Sequence, residues 1–259
     1  MTSNTISVII PTYKEPEYLD LCIESILSGQ KYKNEIVVVV DGTKDINQSV
    51  LDKYKNKITS IIFEENYGQT KATNFGVYSS SNKDILVVND DNVFPKDWDS
   101  ILLEDYNSQT DVITPNQIEP YDSMFKQFIK YDFGKSIIEF NLSHFQNLEV
   151  KFRRKLVDNT GSTLPFLMSK INFLKIGGWD ETYPSGHVVD WEFFLKCNLC
   201  GINLKRNYNL NFYHFVSIGT KSPEQIENTK KNEKAGFEYF HCKWGSYPRH
   251  NSHNNLKTL

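Results

Sequence analysis

Four short apolar runs rich in β-branched residues, Ile6–Ile10, Ile36–Val40, Ser60–Phe63 and Ile85–Val88, start roughly 25 to 30 residues apart. Unbroken rather than alternating runs of this length suit strands buried on both faces, the condition of a parallel sheet covered by helices. Between the first two, Leu19, Cys22, Ile23, Ile26 and Leu27 recur at the three-and-four spacing of an amphipathic helix. Pro16 suits the first turn of that helix and Gly29 its C-terminal cap. Strand, helix and strand in this order form a βαβ unit, so the sequence calls for an α/β fold with a mainly parallel central sheet.

Further along, the pattern predicts a strand at Val112–Thr114, then one or two aromatic-rich helices over Tyr121–Phe140. Asn141–Asn159 lacks periodicity and reads as a mobile loop. A strand at Leu164–Met168 and a short helix follow, up to Ile176. Asp190–Leu199 predicts a helix with Trp191, Phe194, Leu195 and Asn198 along one stripe, ended by Gly201. Ile202–Leu204 and Phe212–Phe215 read as two strands, and Glu224–Tyr239 as a polar helix. With no internal repeat and no linker composition, residues 1–245 are expected to form one domain, and 246–259 a loosely ordered tail.

Composition excludes several classes of function. The formal net charge of -3 gives no electrostatic reason to expect a nucleic-acid partner. The basic cluster Lys151-Phe152-Arg153-Arg154-Lys155 is short; it reads as a solvated face, with an anionic acceptor or a membrane surface as the alternatives. The longest apolar runs fall far below the ~20 residues of a membrane span, and no basic region precedes the first one. The expectation is therefore a chain without a transmembrane segment, cytoplasmic or peripheral at a membrane. Cys197-x-x-Cys200 has no second pair to complete a zinc site, so core packing is the better account. No Gly-x-Gly-x-x-Gly follows the first strand and no Gly-Lys-Ser/Thr loop occurs, which argues against dinucleotide and P-loop sites.

Four other segments hold the chemistry: Pro11-Thr12-Tyr13-Lys14-Glu15, Asp41-Gly42, Asn89-Asp90-Asp91 and Asp190-Trp191-Glu192. Each follows an apolar run or opens a helix, where an open α/β sheet exposes its ligand-binding edge. Asp41 can accept the N3–H of a uracil or thymine ring. In Asn89-Asp90-Asp91, two oxygen ligands flank one residue, and hard oxygen donors fit Mg²⁺ or Mn²⁺. Asp190 stands at a helix start, where a carboxylate caps the helix and can also be held as a base. Taken singly, each has a plain structural alternative: a turn, an acidic loop or a helix cap.

In this order the segments resemble the motifs of family 2 glycosyltransferases, and the resemblance runs over roughly residues 5 to 245. It implies a GT-A fold and an inverting transfer of sugar from a UDP- or dTDP-sugar to a hydroxyl of a glycan, glycolipid or glycoprotein. The division it implies is a nucleotide-sugar half over 1–91, an acceptor and catalytic half over 92–220, and a C-terminal helix over 221–245. Pro11, Thr12, Tyr13 and Glu15 would contact the nucleoside, and Asp41 would be the base-binding acid, with Val40 replacing its usual acidic neighbour. Asn66-Tyr67-Gly68 and Ala72-Thr73-Asn74-Phe75-Gly76 match the family's Asn-x-Gly and Ala-x-Asn-x-Gly segments, which brings Asn66, Gly68, Lys71 and Asn74 to the donor, Lys71 towards the diphosphate.

Asn89-Asp90-Asp91 stands in place of Asp-x-Asp, so Asn89 and Asp90 join the donor contacts and Asp91 becomes the metal ligand, completed by His214. Gly177-Gly178-Trp179-Asp180-Glu181 and Val188-Val189-Asp190-Trp191-Glu192 resemble Gly-Gly-Phe-Asp-Glu and Glu-Asp-x-Asp. Asp190 is then the catalytic base, Trp179, Asp180 and His187 are acceptor contacts, and Lys196 replaces an arginine. The loop Tyr183–Val189, or the segment before Asn159, would close over the donor. Lys243-Trp244-Gly245 matches a short motif near the end of related chains, with a packing tail as its default role. Val40, Asn89 and Val189 at usually acidic positions leave open a non-catalytic relative that binds nucleotide sugar or glycan.

Overall fold

The structure is a computed structural model, and it describes residues 5–123, 125–216 and 223–248. Most of the tail expected over 246–259 lies outside these residues. The chain runs β1 (Ser7–Thr12), α1 (Pro16–Gly29), β2 (Glu35–Asp41), α2 (Lys44–Tyr54), β3 (Thr59–Phe63), α3 (Gln69–Ser79) and β4 (Asp84–Val87). β1 pairs in parallel with β2 on one side and with β4 on the other, and β3 extends the sheet beyond β2. The order thus turns around at β1, and an open α/β sheet leaves its ligand crevice at such a point, beyond the carboxyl ends of the strands.

The second part is mixed. It comprises β5 (Asn92–Val93), α4 (Trp98–Glu104), β6 (Asp111–Glu119), β7 (Ile129–Lys130), α5 (Leu142–Leu148), a 3-10 turn (Glu149–Phe152), β8 (Val157–Asp158), β9 (Phe166–Ser169), α6 (Lys170–Lys175), α7 (Val189–Leu199), β10 (Asn203–His214) and α8 (Pro223–Trp244). The sheet reads β3-β2-β1-β4-β9-β6-β10-β5, with β9 antiparallel to both neighbours and β10 parallel to β6.

Both faces of β1 and β2 are covered, which explains their unbroken apolar runs. Ile9, Val37 and Val39 cluster with Ala72 and Val77 of α3 and Phe193 and Phe194 of α7. Val8, Ile10, Val38 and Val40 cluster with α1, with Val50, Leu51 and Tyr54 of α2, and with Trp98 and Leu102 of α4. Gly29 is the last helical residue of α1, not its left-handed cap; Gln30 takes the cap with an extended backbone. The glycine is needed because a Cβ there would overlap the Pro95 carbonyl as the chain enters α4. Gly29→Ala is expected to cost about 2 kcal/mol by overpacking, seen as a lower urea midpoint at unchanged slope.

Three expectations are corrected. Tyr121–Phe140 forms turns and β7, not helices. Two of its rings pack against the end of β10, with Phe133 5.8 Å and Phe140 5.0 Å from Tyr213, ring centre to ring centre. Gly134, at φ +132°, folds the chain back so tightly that a Cβ would sit 2.6 Å from Phe140. The stretch Asn141–Asn159 is ordered: Asn141 caps α5 by accepting from His144 N at 2.8 Å. Buried Glu149 then accepts from Asn211 N and Nδ2 at 2.9 Å each, and from Arg153 Nε at 2.7 Å. Finally, β10 is one strand of 12 residues, with a register shift between Asn207 and Asn211 where the sequence suggested two strands.

Candidate active site

The loops after β1, β2 and β4 meet at the crevice. Thr12, the last residue of β1, donates its hydroxyl to Asp90 Oδ2 at 2.7 Å, which ties the two strand ends flanking the switch point. Tyr13 follows, half-exposed, its carbonyl accepting from the Thr43 hydroxyl and from Asn47 Nδ2 at 2.9 Å. The Pro11–Glu15 turn is thereby fixed against the start of α2, with Pro11 buried and Glu15 half-buried.

Asp41 does structural work that its sequence position does not announce. Its Oδ1 accepts from Tyr67 N at 2.7 Å and its Oδ2 from Gly68 N at 2.9 Å, pinning the Asn66–Gly68 turn over the end of β2. Gly68, at φ +92°, caps α3, and Lys71 places its ammonium 4.0 Å over the Tyr67 ring. Asn74 is buried, its Oδ1 accepting from Trp179 N at 2.9 Å and its Nδ2 donating to Trp179 O and Glu181 Oε1 at 2.8 Å each. It joins α3 to the 177–181 segment.

The Asn89-Asp90-Asp91 turn is the electrostatic centre. Asn89 Oδ1 accepts from Gln69 Nε2 at 3.1 Å. Burial first, then the Asp91 charge, pushes the Asp90 carboxyl up to about 7, against the Thr12 hydrogen bond. Asp91 Oδ2 lies 3.5 Å from His214 Nε2, while its Oδ1 is buried and has no hydrogen-bond partner among the described residues. The β5–β10 pairing, with His214 opposite Asn92, brings these two together across 123 positions of chain.

Glu119, at the end of β6, bonds His214 Nδ1 at 2.9 Å and is itself buried. Burial opposes charge on His214, but Asp91 and then Glu119 outweigh it and push the ring up to about 10. Sequence reasoning missed Glu119. The apolar signal stops at Thr114 and Pro115-Asn116-Gln117 hide the rest of β6, so Glu119 and its partner are named only by the fold.

Asp190 enters from α7, half-buried near the helix start. Burial pushes its carboxyl up to about 6, against the backbone N–H groups of Trp191 and Asp190 itself. The residue before α7, Val188, has φ +72°, a left-handed conformation that is strained for a β-branched side chain. The loop carrying it reaches the donor side, since a Cβ on Gly186 would lie 3.4 Å from the Oε1 of Gln69, whose amide nitrogen holds Asn89. His187 is half-buried in this loop, its N–H donating to Ser185 Oγ at 3.3 Å.

Trp179 and Asp180 each have partners within the protein. Trp179 is buried and stacked 5.4 Å from Phe193, and Asp180 accepts from Thr182 and Lys243. Both line a cleft of about 440 Å³ between α3, α7 and α8 whose walls do not include Asp190. Val40 and Val189, at the positions of absent acids, belong to the two cores.

The sequence profile of glycosyl transferase family 2 matches residues 7–172. The chain belongs to glycosyltransferase family 2. This family 2 glycosyltransferase is 29% identical over 243 residues to an uncharacterised glycosyltransferase of Rickettsia typhi, covering 91% of this chain and 70% of that one. TarS of S. aureus, solved with UDP, superposes with a TM-score of 0.60 at 17% identity over 93% of this chain and 72% of its own. GalNAc-T7, solved with UDP, GalNAc and Mn²⁺, gives 0.61 at 15% identity over 81% of this chain and 43% of its own. At such identities the likeness is one of fold, and the fold is GT-A, as the resemblance implied. Among the described residues of the glycosyltransferase, no helix is long and apolar enough to cross a membrane.

Proposed function

We propose that this glycosyltransferase inverts the anomeric centre of a UDP- or dTDP-sugar as it transfers the sugar to a hydroxyl of a glycan, glycolipid or glycoprotein. Support comes above all from the Asp91–His214–Glu119 line at the β1/β4 switch point, with the Asp190 loop beside it. Asp190 takes the proton of the acceptor hydroxyl while that oxygen bonds to the anomeric carbon. The bond from that carbon to the diphosphate oxygen breaks on the opposite face, and nucleoside diphosphate leaves with the electron pair. A divalent cation would be held by Asp91 and His214 and would offset charge growing on the diphosphate. These residues fit it: Asp91 has a buried oxygen to spare, and Glu119 bonded to Nδ1 orients the ring so that Nε2 faces Asp91. Among the described residues no three His, Cys, Asp or Glu side chains form a ready cage, so phosphate and water oxygens would have to complete the shell.

Tyr13 and the Asn66–Gly68 turn flank the base, with Pro11, Thr12 and Glu15 behind them, and Lys71 and Asn89 serve the diphosphate side. Asp41 holds the turn and keeps lone pairs for a ring N3–H. The test is nucleoside diphosphate release from UDP-, dTDP- and GDP-sugars, with MnCl₂ or with chelator. Release is expected from a UDP- or dTDP-sugar only with the metal. It should fall about tenfold per pH unit below pH 6, because a carboxyl raised to about 6 is an active base above that pH and a spent one below it. If no sugar nucleotide is turned over and none raises the melting temperature, the proposal fails.

A further inference from the structure

The Lys243-Trp244-Gly245 motif, which the proposed reaction leaves without a role, sits where α8 meets the loop that carries Asp190. Lys243 Nζ donates to Asp180 Oδ2 at 2.7 Å and to Glu192 Oε1 at 2.6 Å. Asp180 opens the loop and Glu192, fully buried, lies in the first turn of α7, so one ammonium closes the loop at both ends. Between them α8 follows the loop turn by turn. Ser185 Oγ donates to Asn232 O at 3.3 Å, the Tyr239 ring packs 4.7 Å from Tyr183, and the Tyr239 and Thr182 hydroxyls share a hydrogen bond. Gly236 meets the apex: a Cβ there would lie 2.8 Å from His187 O and 3.0 Å from a Val188 methyl.

These contacts hold a segment that ends in a strained residue. Val188 at φ +72° sits two positions before Asp190, and such a conformation persists only when its surroundings over-determine it. Cutting the ties of α8 lets that backbone relax, and the carboxylate moves with it. We infer that Lys243 and Gly236 are positioning residues, through which α8 holds the 180–192 loop and aims the Asp190 carboxylate. The inference rests on Asp190 being the base.

The test uses the whole chain as Lys243→Met, Lys243→Arg, Gly236→Ala and Asp190→Asn beside wild type. Two quantities are read: amide hydrogen exchange over residues 181–191, and UDP release from UDP-glucose, UDP-GlcNAc and UDP-GalNAc with MnCl₂. Lys243→Met and Gly236→Ala are expected to speed exchange in that segment about tenfold or more, with β1, β2 and β4 unchanged. They should lower kcat about tenfold or more with donor KM within about twofold, since misplacing a base by an ångström costs rate, not ground-state binding. Lys243→Arg, whose fork spans both carboxylates, should restore both quantities to near wild type.

Unchanged exchange over 181–191 in both variants overturns the inference, as does unchanged kcat in both while Asp190→Asn abolishes release. If Lys243→Met does not fold because Glu192 is left buried and unpaired, Gly236→Ala decides alone. If Asp190→Asn keeps wild-type release, the base assignment falls and the aiming role falls with it, whereas faster exchange would still show that α8 holds the loop.

Discussion

Asp190→Asn is expected to lower sugar transfer about a thousandfold or more while the donor's Kd stays within about twofold. The amide keeps the shape and the helix-start position of the carboxylate but cannot accept the acceptor's proton. Donor binding should survive because the proposed nucleotide contacts lie at and beyond the ends of β1, β2 and β4 and at the start of α3, whereas Asp190 is held by α7. The measurement is donor titration beside single-turnover transfer. A mutant that binds and transfers like wild type would remove Asp190 from the mechanism. One that loses binding as well would mean that the side chain supports the crevice instead.

Asp91→Ala should act earlier in the cycle. Removing the side chain takes away the buried Oδ1 and the partner of His214 together, leaving the imidazole to Glu119 alone. Metal-supported donor binding is expected to weaken about a hundredfold, and residual binding should no longer respond to chelator. Glu119→Gln provides the graded control, because it leaves both proposed ligands in place and changes only the group behind the imidazole. It should weaken metal-dependent binding about tenfold. Calorimetric titration of a UDP-sugar with and without MnCl₂ separates the two. Equal metal dependence in wild type and Asp91→Ala would rule out this pair as the cation site.

What could be read from the sequence follows the sheet. β1, β2 and β4 are buried on both faces, and a doubly buried strand writes itself as an unbroken run. The acids after those runs were visible for the same reason, since a parallel strand has only one end at which a ligand can sit. Features that depend on distant partners were hidden. The aromatics over 121–140 look helical by composition, yet Phe133 and Phe140 cluster round Tyr213 and Phe215, some eighty residues later. β10 hides its middle behind Asn207, Asn209 and Asn211: Asn211 bonds across the sheet to Asn116 and into Glu149, while Asn207 accepts from Asn209 N and donates to Ile101 O. Asn74 carries a family-like motif but spends its amide on Trp179, a partner over a hundred residues away.

The pairing of β5 with the end of β10 has a practical side for anyone who wishes to build hybrid enzymes. It sets Asp91, inside the family-matched stretch, against His214, well outside it, and Asp190 also falls beyond that stretch. A graft of residues 7–172 alone would transplant the proposed base pocket with half of the cation pair and no proton acceptor. A fusion joint placed between β9 and α7 would therefore assemble the proposed cation pair from two parents and take the proposed base from the recipient, so a transplant meant to carry this whole site runs on through α8.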